Sequence, residues 1–410
     1  MKVLILGLDG VPRGLLERLA RAGVMPSFAR LIGEGTLHDL RASIPEISSV
    51  SWTSFMTGAN PGIHGVFGFT DLVPGTMRIR FPRFSDLEVP TFWDRLGRQG
   101  LRSVVLNQPS TYPVRPIPGA LVAGFVALDL DRAVYPARHL ARLEAMRYRV
   151  DVDSRRAQSD RTHLLEELEA TLAAREAAVD YFWTEERWDV LELVITGTDR
   201  LQHFLWDALE AAEHPLHERV LAYYRAVDGL AGRLVERFRA EHPAGRFFAL
   251  SDHGFTRVRQ EVRLNAWLEA EGYLAFQGEE RGALSALAPS TRVFALDPGR
   301  LYLRPASEAL RTELIERLTA LGFGGEPVVR AVHRREAIYH GPLAERGPDL
   351  VVQAHDGFDL KGTLKADSVF AAPATMSGMH NSEAFLLADH RVGDNLDIAE
   401  VAGHIEALFP

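Results

Sequence analysis

The sequence predicts an α/β fold in which a doubly wound, mostly parallel sheet carries an inserted α+β cap. Continuous apolar runs of β-forming residues alternate along the chain with stretches of helical periodicity, as in βαβ units. These runs lack the polar alternation of half-exposed strands, which is typical of parallel strands covered by helices on both faces. Between about residues 260 and 375 the pattern changes to short strands, turns and one helix, which indicates an insertion into the core.

The core strands are predicted at 3–8, 103–106, 189–196, 247–250 and 385–387. Helices are predicted at 91–100, 163–183, 217–239 and 398–408, and Thr91 with Asp94 has the spacing of a capping box at the start of the first. The insertion is predicted to contain strands at 292–296, 301–304 and 350–353 and a helix at 307–321. The predicted domains are therefore a first part of the core at 1–258, the cap at 259–375 and a return to the core at 376–410.

The composition excludes several classes of protein. The 410 residues include no cysteine, which removes disulfide scaffolds, thiol nucleophiles and cysteine-ligated metals. A net charge of -9 provides no positive field for a nucleic acid polymer. The apolar stretch at the N-terminus is too short for a secretion signal, and no run of about 18 apolar residues occurs. We therefore expect a soluble cytoplasmic protein that binds a small molecule rather than a membrane, with a homo-oligomer as an open option.

Acidic residues follow three of the predicted core strands. Asp9 follows the strand at 3–8, Asp199 follows the strand at 189–196, and Asp252 follows the strand at 247–250. In open α/β sheets, ligands bind beyond the carboxyl ends of the strands, so these carboxylates are expected at one binding edge.

Two of these acids have a histidine at an informative spacing. Asp199 and His203 are four residues apart where a helix is predicted to begin, so their side chains share one face and could bind one metal ion. The pair equally fits an acid favoured by the helix dipole beside a structural histidine. Asp252 and His253 are adjacent and can reach one cation only if the chain turns sharply, which Gly254 permits, although Asp-His-Gly is also an ordinary turn sequence.

A loop rich in hydroxyl groups precedes a short apolar segment. Ser48, Ser49 and Ser51 stand where a helix would begin, so a serine hydroxyl there would face backbone N–H groups and the positive end of the helix dipole, a suitable site for phosphate. One of these serines could instead cap the helix. Trp52, further along the segment, is interpreted as a core residue.

Together these motifs resemble the alkaline phosphatase superfamily, and in particular its type I phosphodiesterase and nucleotide pyrophosphatase branch, with its bacterial predicted phosphohydrolases and phosphomutases. The similar segments run nearly end to end and in the same order: LDG, MPSFARLIGEG, SWTSFMTGANPGIHGVFGF, NQPSTYP, DRLQHFLWD, SDHGF, LNAWLEAEGYL, GRLYL, GPDLVV and SGMH. So long a colinear set is specific for the superfamily and much less specific for a substrate.

The resemblance implies two divalent metal ions, with zinc as the first choice and manganese as the alternative. Family members hold these ions between carboxylates, imidazoles and a nucleophilic hydroxyl. On this chain, the resemblance assigns the first ion to Asp199, His203 and His380. It assigns the second ion to Asp9, Asp252, His253 and the nucleophile Ser48.

Two positions depart from the family pattern. Family members often have Thr-x-Pro at the nucleophile, whereas this chain has Ser48, Ser49 and Val50, which leaves Ser49 as the alternative nucleophile. The Gly-x-His motif that contains His380 lacks the glycines that usually follow it, which leaves His390 as the alternative ligand. The arginines closest in sequence to these motifs, Arg41 and Arg200, are interpreted as members of surface ion pairs.

The resemblance implies a metal-dependent phosphoric ester hydrolase that acts through a phosphoseryl intermediate on phosphodiesters, as a phosphodiesterase or nucleotide pyrophosphatase does. Charge favours a diester, because two dications are already balanced by three carboxylates and a seryl alkoxide, and a monoester dianion would need a further cation. The alternatives on the same site are a phosphomonoesterase, a phosphonate monoester hydrolase or a phosphomutase. A sulfatase is disfavoured because the formylglycine segment is absent, and a non-catalytic scaffold is disfavoured because every ligand and the nucleophile are present.

Overall fold

A computed structural model describes all 410 residues, which form two compact units. Unit 1 comprises residues 1–59, 83–255 and 376–410, and unit 2 comprises residues 60–82 and 256–375. The division predicted from the sequence differs mainly in assigning residues 60–82 to the core. The predicted division into a core and an inserted cap domain stays a prediction.

A nine-stranded sheet forms the centre of unit 1. Its strands in chain order are β1 (Val3–Leu8), β2 (Thr36–Arg41), β3 (Ser103–Gln108), β4 (Gly119–Ala123), β5 (Val134–Tyr135), β6 (Val190–Ile195), β7 (Arg246–Leu250), β8 (Glu383–Ala388) and β9 (Leu396–Asp397). Across the sheet their order is β9-β2-β8-β7-β1-β6-β3-β4-β5. Strands β5 and β8 run antiparallel to their neighbours and the remaining pairings are parallel, so the mostly parallel sheet is confirmed.

Helices cover both faces of this sheet. The first face packs against Arg13–Arg21, Pro26–Glu34, Leu140–Ala145, Ser154–Ala157, Arg161–Glu185, Gly197–Glu210 and His217–Glu241. The second face packs against Ser48–Thr57, Phe92–Arg98 and Val401–Glu406. Along β1, Leu4 and Leu6 face the first core whereas Val3 and Ile5 face the second. A strand buried on both faces explains the continuous apolar run at 3–8.

The capping box predicted at the start of Phe92–Arg98 is confirmed. The Thr91 hydroxyl accepts a hydrogen bond from the Asp94 N–H, and the Asp94 carboxylate accepts one from the Thr91 N–H. The sequence did not predict β2, β4, β5 or β9. Strand β2 has the mixed sequence TLHDLR because its side chains alternate between buried and exposed positions, and β5 and β9 are only two residues long.

Unit 2 has its own apolar core and the predicted α+β composition. A four-stranded antiparallel sheet has the order Val293–Leu296, Arg300–Leu303, Leu350–Ala354 and Val329–Arg334, and the helix Glu308–Thr319 packs on it. The sheet that contains Gln260–Arg263 has Phe358–Lys361 and Phe370–Ala371 on either side. Further elements of unit 2 are the hairpins Asp71–Leu72 with Ile79–Arg80 and Gly322–Phe323 with Glu326–Pro327, and the helices Pro61–His64, Leu264–Ala270 and Arg335–Ile338.

A buried arginine attaches residues 60–82 to the rest of unit 2. Arg300 is fully buried, and its Nη1 donates to the carbonyl of Thr70 at 2.8 Å and to Asp71 Oδ1 at 3.0 Å. A Cβ atom on Gly68 would lie 2.3 Å from the Arg300 guanidinium carbon, so the close approach requires glycine there. Sequence reasoning could not find this link because the paired residues are 229 positions apart. In the whole chain, none of the helices combines the length and the apolar character that crossing a membrane requires.

Glu192 is a buried acid in the middle of β6. Trp93 Nε1 donates to its Oε2 at 3.1 Å, while Oε1 has no hydrogen bond. Burial raises the pKa of Glu192 to about 8. The folded protein therefore keeps this proton up to about pH 8, whereas the unfolded chain loses it above its ordinary value of 4.5. Within that window the unfolded state binds fewer protons, so the free energy of unfolding falls as the pH rises.

We expect Glu192→Gln to remove this pH dependence. The free energy of unfolding of the variant minus that of the wild type should increase between about pH 5 and pH 8, by up to about 1.4 kcal/mol per pH unit, and should then level off. Urea unfolding of both proteins across that range measures the difference, in which other titrating groups cancel. A difference that does not change with pH would show that Glu192 is ionised in the folded protein.

Candidate metal centre

The strand order places the predicted acids side by side. Strand β1 lies between β6 and β7, with Leu8 opposite Ile195 and Gly7 opposite Leu250. Asp9 and Asp252 each come two residues after the paired Gly7 and Leu250, so both leave the sheet at the same level. Asp199 lies in the first turn of the helix that follows β6. The three carboxylates thus meet at the carboxyl edge of the three adjacent strands, as the sequence predicts.

His380 reaches the same edge because β8 is antiparallel. The residue precedes this strand, so it lies where the parallel strands end, and its Nε2 is 3.2 Å from Asp199 Oδ1. His390 follows the other end of β8, where it contacts Asp389 and packs on the ring of Phe248. The structure therefore brings His380, and not His390, to the predicted site.

Ser48 begins the helix Ser48–Thr57, whose ten residues are all buried. Its Oγ lies 3.0 Å from His253 Nε2 and 3.3 Å from Asp9 Oδ1. The Ser49 hydroxyl is buried without a hydrogen-bond partner and contacts neither residue. The helix starts without a side-chain cap, so the capping role considered for the serines is not used. The geometry favours Ser48 over Ser49 as the reactive hydroxyl.

Three imidazoles present the same ring nitrogen to the centre. In each of them Nδ1 lies within hydrogen-bonding distance of a backbone carbonyl, which holds the proton on Nδ1 and leaves the lone pair of Nε2 free to bind a cation. The carbonyls are those of Gly378 for His203 (3.2 Å), Gly254 for His253 (3.1 Å) and Glu46 for His380 (2.9 Å).

The first predicted ligand set is closely spaced. The Nε2 atoms of His203 and His380 are 3.0 Å apart, and they lie 3.4 and 3.2 Å from Asp199 Oδ1. Donor atoms that surround a tetrahedral ion at zinc-to-nitrogen distances are separated by about 3.3 Å. Two imidazole lone pairs 3.0 Å apart repel each other unless a proton or a cation lies between them. The set therefore fits an ion of zinc size.

The second set has the same spacing. His253 Nε2 lies 3.3 Å from Asp252 Oδ2 and 3.8 Å from Asp9 Oδ1, and Ser48 Oγ completes the group through the two distances given above. Asp252 Oδ2 is buried and has no hydrogen bond, whereas its Oδ1 accepts one from the Gly10 N–H at 3.1 Å. An orphaned, buried carboxylate oxygen among other donors is what a metal ion would satisfy.

The two sets are neighbours. The rings of His253 and His380 stack with centroids 3.8 Å apart and an interplanar angle of 25°. Ligand atoms of Asp199, His253 and His380 also lie within 4.8 Å of one another. The edge therefore offers one continuous cluster of nitrogen and oxygen donors.

Burial and mutual repulsion disturb the acid–base properties of these groups. Burial raises the pKa of Asp9, with a further contribution from the charges of Asp252 and Asp199, and burial raises the pKa of Asp252 to about 7. Burial opposes ionisation of Asp199 too, but His203, His380 and Arg200 lower its pKa. In the absence of a cation, the cluster would therefore hold protons in its place.

Two of the three imidazoles, those of His203 and His253, are kept neutral, as metal ligands must be. Burial lowers the pKa of His203 to about 3 and, together with the charge of His380, lowers the pKa of His253. Burial acts in the same direction on His380, but its contact with Asp199 raises the pKa. The buried Phe255 ring makes T-shaped contacts with the imidazoles of His203 and His380, with centroids 4.8 and 4.9 Å away.

Gly254 has a different role from the one expected. The sequence suggested that it permits a sharp turn, but the bend falls on Asp252 and His253, and Gly254 has no left-handed conformation. A Cβ atom at Gly254 would instead lie 2.4 Å from Asn381 Oδ1. The glycine is needed for the close approach of this chain segment to the one that carries His380.

Sequence reasoning missed two supporting residues. Trp52 is buried as predicted for a core residue, yet its Nε1 also donates to Asp9 Oδ2 at 3.2 Å. Arg200 was interpreted as a surface ion pair, but its side chain is 13% exposed and pairs with Asp199 at 3.2 Å and Asp151 at 2.7 Å. Arg41 is exposed, at the end of β2. Asp9 is 43 positions from Trp52 and Asp151 is 49 positions from Arg200, so only the fold shows these two contacts.

This fold and this cluster define the class of the protein. A mostly parallel sheet with acids and histidines at its carboxyl edge, beside a helix that begins with serine, is the arrangement of the alkaline phosphatase superfamily, whose members are metal-dependent. The chain belongs to the type I phosphodiesterase/nucleotide pyrophosphatase family, whose model matches residues 3–383. It is therefore a phosphoric ester hydrolase by family.

Solved structures share the fold at low sequence identity. Phosphonoacetate hydrolase from Sinorhizobium meliloti 1021, in complex with phosphonoformate, has a TM-score of 0.67 and 16% identity, over 98% of this chain and 94% of that chain. Murine ectonucleotide pyrophosphatase/phosphodiesterase 5, as an inactive threonine-to-alanine variant in complex with AMP, has a TM-score of 0.58 and 15% identity, over 100% and 94%. Wild-type alkaline phosphatase PafA has a TM-score of 0.59 and 13% identity, over 99% and 95%. No curated protein sequence matches the chain.

Trp52→Phe tests whether the indole N–H orients Asp9 for an ion. The variant keeps a buried aromatic ring, so we expect it to fold, but Asp9 Oδ2 loses its donor and the second ion should bind about tenfold more weakly. Competition with a calibrated zinc chelator measures this affinity. Trp93→Phe is the matched control, because it removes an indole donor from the buried Glu192 instead. Equal affinities in the Trp52 variant and the wild type would exclude the orienting role.

Proposed function

We propose that the protein is a two-metal phosphodiesterase in which Ser48 forms a phosphoseryl intermediate. The observation that carries this proposal is the donor spacing: seven side chains present oxygen or nitrogen atoms to one edge of the sheet at the separations of metal ligands. Family membership supplies the reaction class, and the residues on this chain supply the site for it.

The residues fit two ions, and zinc suits their mixture of imidazole and carboxylate donors. Asp199, His203 and His380 would hold the first ion. Asp9, Asp252 and His253 would hold the second ion, next to Ser48. When bound, two dications supply positive charge for the seryl alkoxide, for the leaving oxygen and for the non-bridging oxygens of an in-line displacement.

Ser48 is placed to act as the nucleophile. Its Oγ projects from the first residue of the helix into the second ligand set, 3.3 Å from Asp9 Oδ1 and 3.0 Å from His253 Nε2. The Ser48 hydroxyl would give up its proton to solvent and its Oγ would bond to phosphorus, while the bond from phosphorus to the ester oxygen breaks; that oxygen would leave with the bonding electrons and take up a proton from solvent to become the free alcohol. Water then attacks the phosphoserine from the opposite side, and the Ser48 oxygen leaves with a proton returned to it.

Charge supports a diester as the substrate. Three carboxylates and the seryl alkoxide would balance two dications, which leaves little net charge for a dianion. Arg200, the arginine beside the ligands, already pairs with Asp199 and Asp151. Fold neighbours bind AMP and phosphonoformate, so the fold accommodates nucleotide and phosphonate groups, and this is consistent with an anionic phosphorus compound as the substrate here.

Ser48→Ala tests the nucleophile. We expect turnover to fall by roughly 10³-fold or more, with both ions retained, because the alanine removes the attacking oxygen and no carboxylate or imidazole ligand. Metal content by mass spectrometry, together with turnover of bis-p-nitrophenyl phosphate, gives the two readouts. Ser49→Ala is the matched control and should keep its activity. Full activity in the Ser48 variant would reject the assignment.

The same assay separates the proposal from a serine–histidine dyad. The 3.0 Å contact between Ser48 Oγ and His253 Nε2 would also suit a dyad in which the histidine is the base. A dyad would keep its activity after the ions are removed by a chelator. We expect complete loss of activity and its recovery on adding zinc.

Paired substrates test the diester preference. The ratio of kcat/KM for bis-p-nitrophenyl phosphate to that for p-nitrophenyl phosphate should exceed about ten, because the site lacks a free cation for the dianion. The phosphonate ester p-nitrophenyl phenylphosphonate serves as a third, singly charged probe. A ratio below one, with two ions bound, would replace the diesterase by a phosphomonoesterase. A phosphonate rate well above both would favour the phosphonate monoester hydrolase.

A further inference from the structure

Arg200 is an arginine placed directly behind a proposed metal ligand. It follows Asp199 in the first turn of Gly197–Glu210, and its Nη1 donates to Asp199 Oδ2 at 3.2 Å. The other carboxylate oxygen, Oδ1, is the one that faces His203 and His380. The two oxygens of Asp199 therefore have separate partners, a guanidinium for one and the centre for the other.

The guanidinium is itself held from two further sides. Asp151 accepts hydrogen bonds from Nε at 3.1 and 3.0 Å and from Nη2 at 2.7 Å, which is the bidentate arrangement of a strong pair. The Phe125 ring lies beneath the guanidinium carbon at 4.2 Å. Asp151 is in turn fixed by the Val152 N–H, which donates to Oδ1 at 2.9 Å. The orientation of Arg200 does not depend on Asp199.

We infer that Arg200 is a positioning residue that restricts Asp199 to binding an ion through Oδ1 alone. An aspartate without this donor can rotate about its last torsion and offer both oxygens to one ion. Binding through both oxygens raises the number of protein donors from three to four, so that a bound substrate or water would bring the coordination number to five, which disfavours tetrahedral zinc and suits manganese better. The Asp151–Arg200 pair would thus set both the affinity of the first ion and the choice between metals. This inference rests on the proposed function, because it presupposes an ion at Asp199.

The test measures metal binding rather than turnover. Zinc and manganese affinities are determined by chelator competition for the wild type, Arg200→Met, Arg200→Lys and Asp151→Asn. For Arg200→Met we expect zinc to bind 10–100-fold more weakly at one of the two sites, with a smaller loss for manganese. The lysine variant should resemble the methionine variant, because an ammonium cannot bond to both carboxylates as the planar guanidinium does. Asp151→Asn should show a weaker loss in the same direction.

Arg161→Met is the matched control. It breaks the ion pair at 2.7 Å between Arg161 and Asp207, a carboxylate on the helix that carries Arg200, and it removes no donor from Asp199, so both affinities should be unchanged. If Arg200→Met does not fold, the metal affinities of Asp151→Asn test the inference, because asparagine keeps the size of the aspartate that pairs with Arg200 and removes its charge. A lysine variant with wild-type affinities would show that charge alone matters and would overturn the positioning role.

The result that would reject the proposed function differs from the result that would reject only this inference. A wild-type protein that binds no zinc would reject the proposed function and this inference with it. A wild type that binds two ions, beside an Arg200→Met variant with the same zinc affinity and the same ratio of zinc to manganese affinity, would overturn the inference and leave the proposed function intact.

Discussion

The burial of three carboxylates beside three imidazoles is the constraint on which the organisation of unit 1 depends. Charges withdrawn from water are costly unless they are paired, and the raised pKa values of Asp9 and Asp252 express that cost. Cations bound at this edge would offset the free-energy cost of burying these carboxylates. The arrangement exists because β1, a strand buried along its whole length, lies between the two strands that precede the other acids, so that the direction of the chain brings the carboxylates together. Stability and chemistry therefore depend on the same few side chains.

The donors are oriented before any ion arrives. Backbone carbonyls hold Nδ1 of each imidazole, an indole N–H holds one oxygen of Asp9, and a guanidinium holds one oxygen of Asp199. Each of these contacts removes a rotation that binding would otherwise have to freeze. Preorganised donors lower the cost of binding and select an ion by its size and coordination number. The supporting contacts thus matter to the metal centre almost as much as the ligands do.

The residues that face the proposed metal site could be predicted from the sequence, whereas the residues that support them could not. Strand ends, the spacing of Asp199 and His203, and the colinear motifs locate all seven predicted side chains, and the structure brings them to one edge. The sequence cannot show that the carbonyl of Glu46 accepts from His380, because backbone groups leave no mark on residue type. Nor can it pair Arg200 with Asp151 across 49 positions, or Arg300 with Asp71 across 229, since any arginine and any aspartate could pair. Strand β2 was missed for a related reason: its polar residues are explained by exposure on one side, which only the packed sheet reveals.

The hydrogen bonds that Arg200 makes to Asp151 and Asp199 affect the choice of substrate as well as the choice of metal. An arginine that recruits a phosphate dianion needs donors free for it, yet this guanidinium gives three contacts to Asp151 and one to Asp199. To serve the substrate it would have to leave Asp151, a carboxylate only 18% exposed, with its main partner lost. The free energy lost when a largely buried carboxylate loses its partner is larger than the free energy that a solvent-screened contact with the substrate would provide. On the proposed function, charge neutralisation at this edge would therefore be left to two dications, whose positive charge would be nearly balanced by the three carboxylates and the seryl alkoxide. A singly charged diester needs no more than that, whereas a doubly charged monoester does.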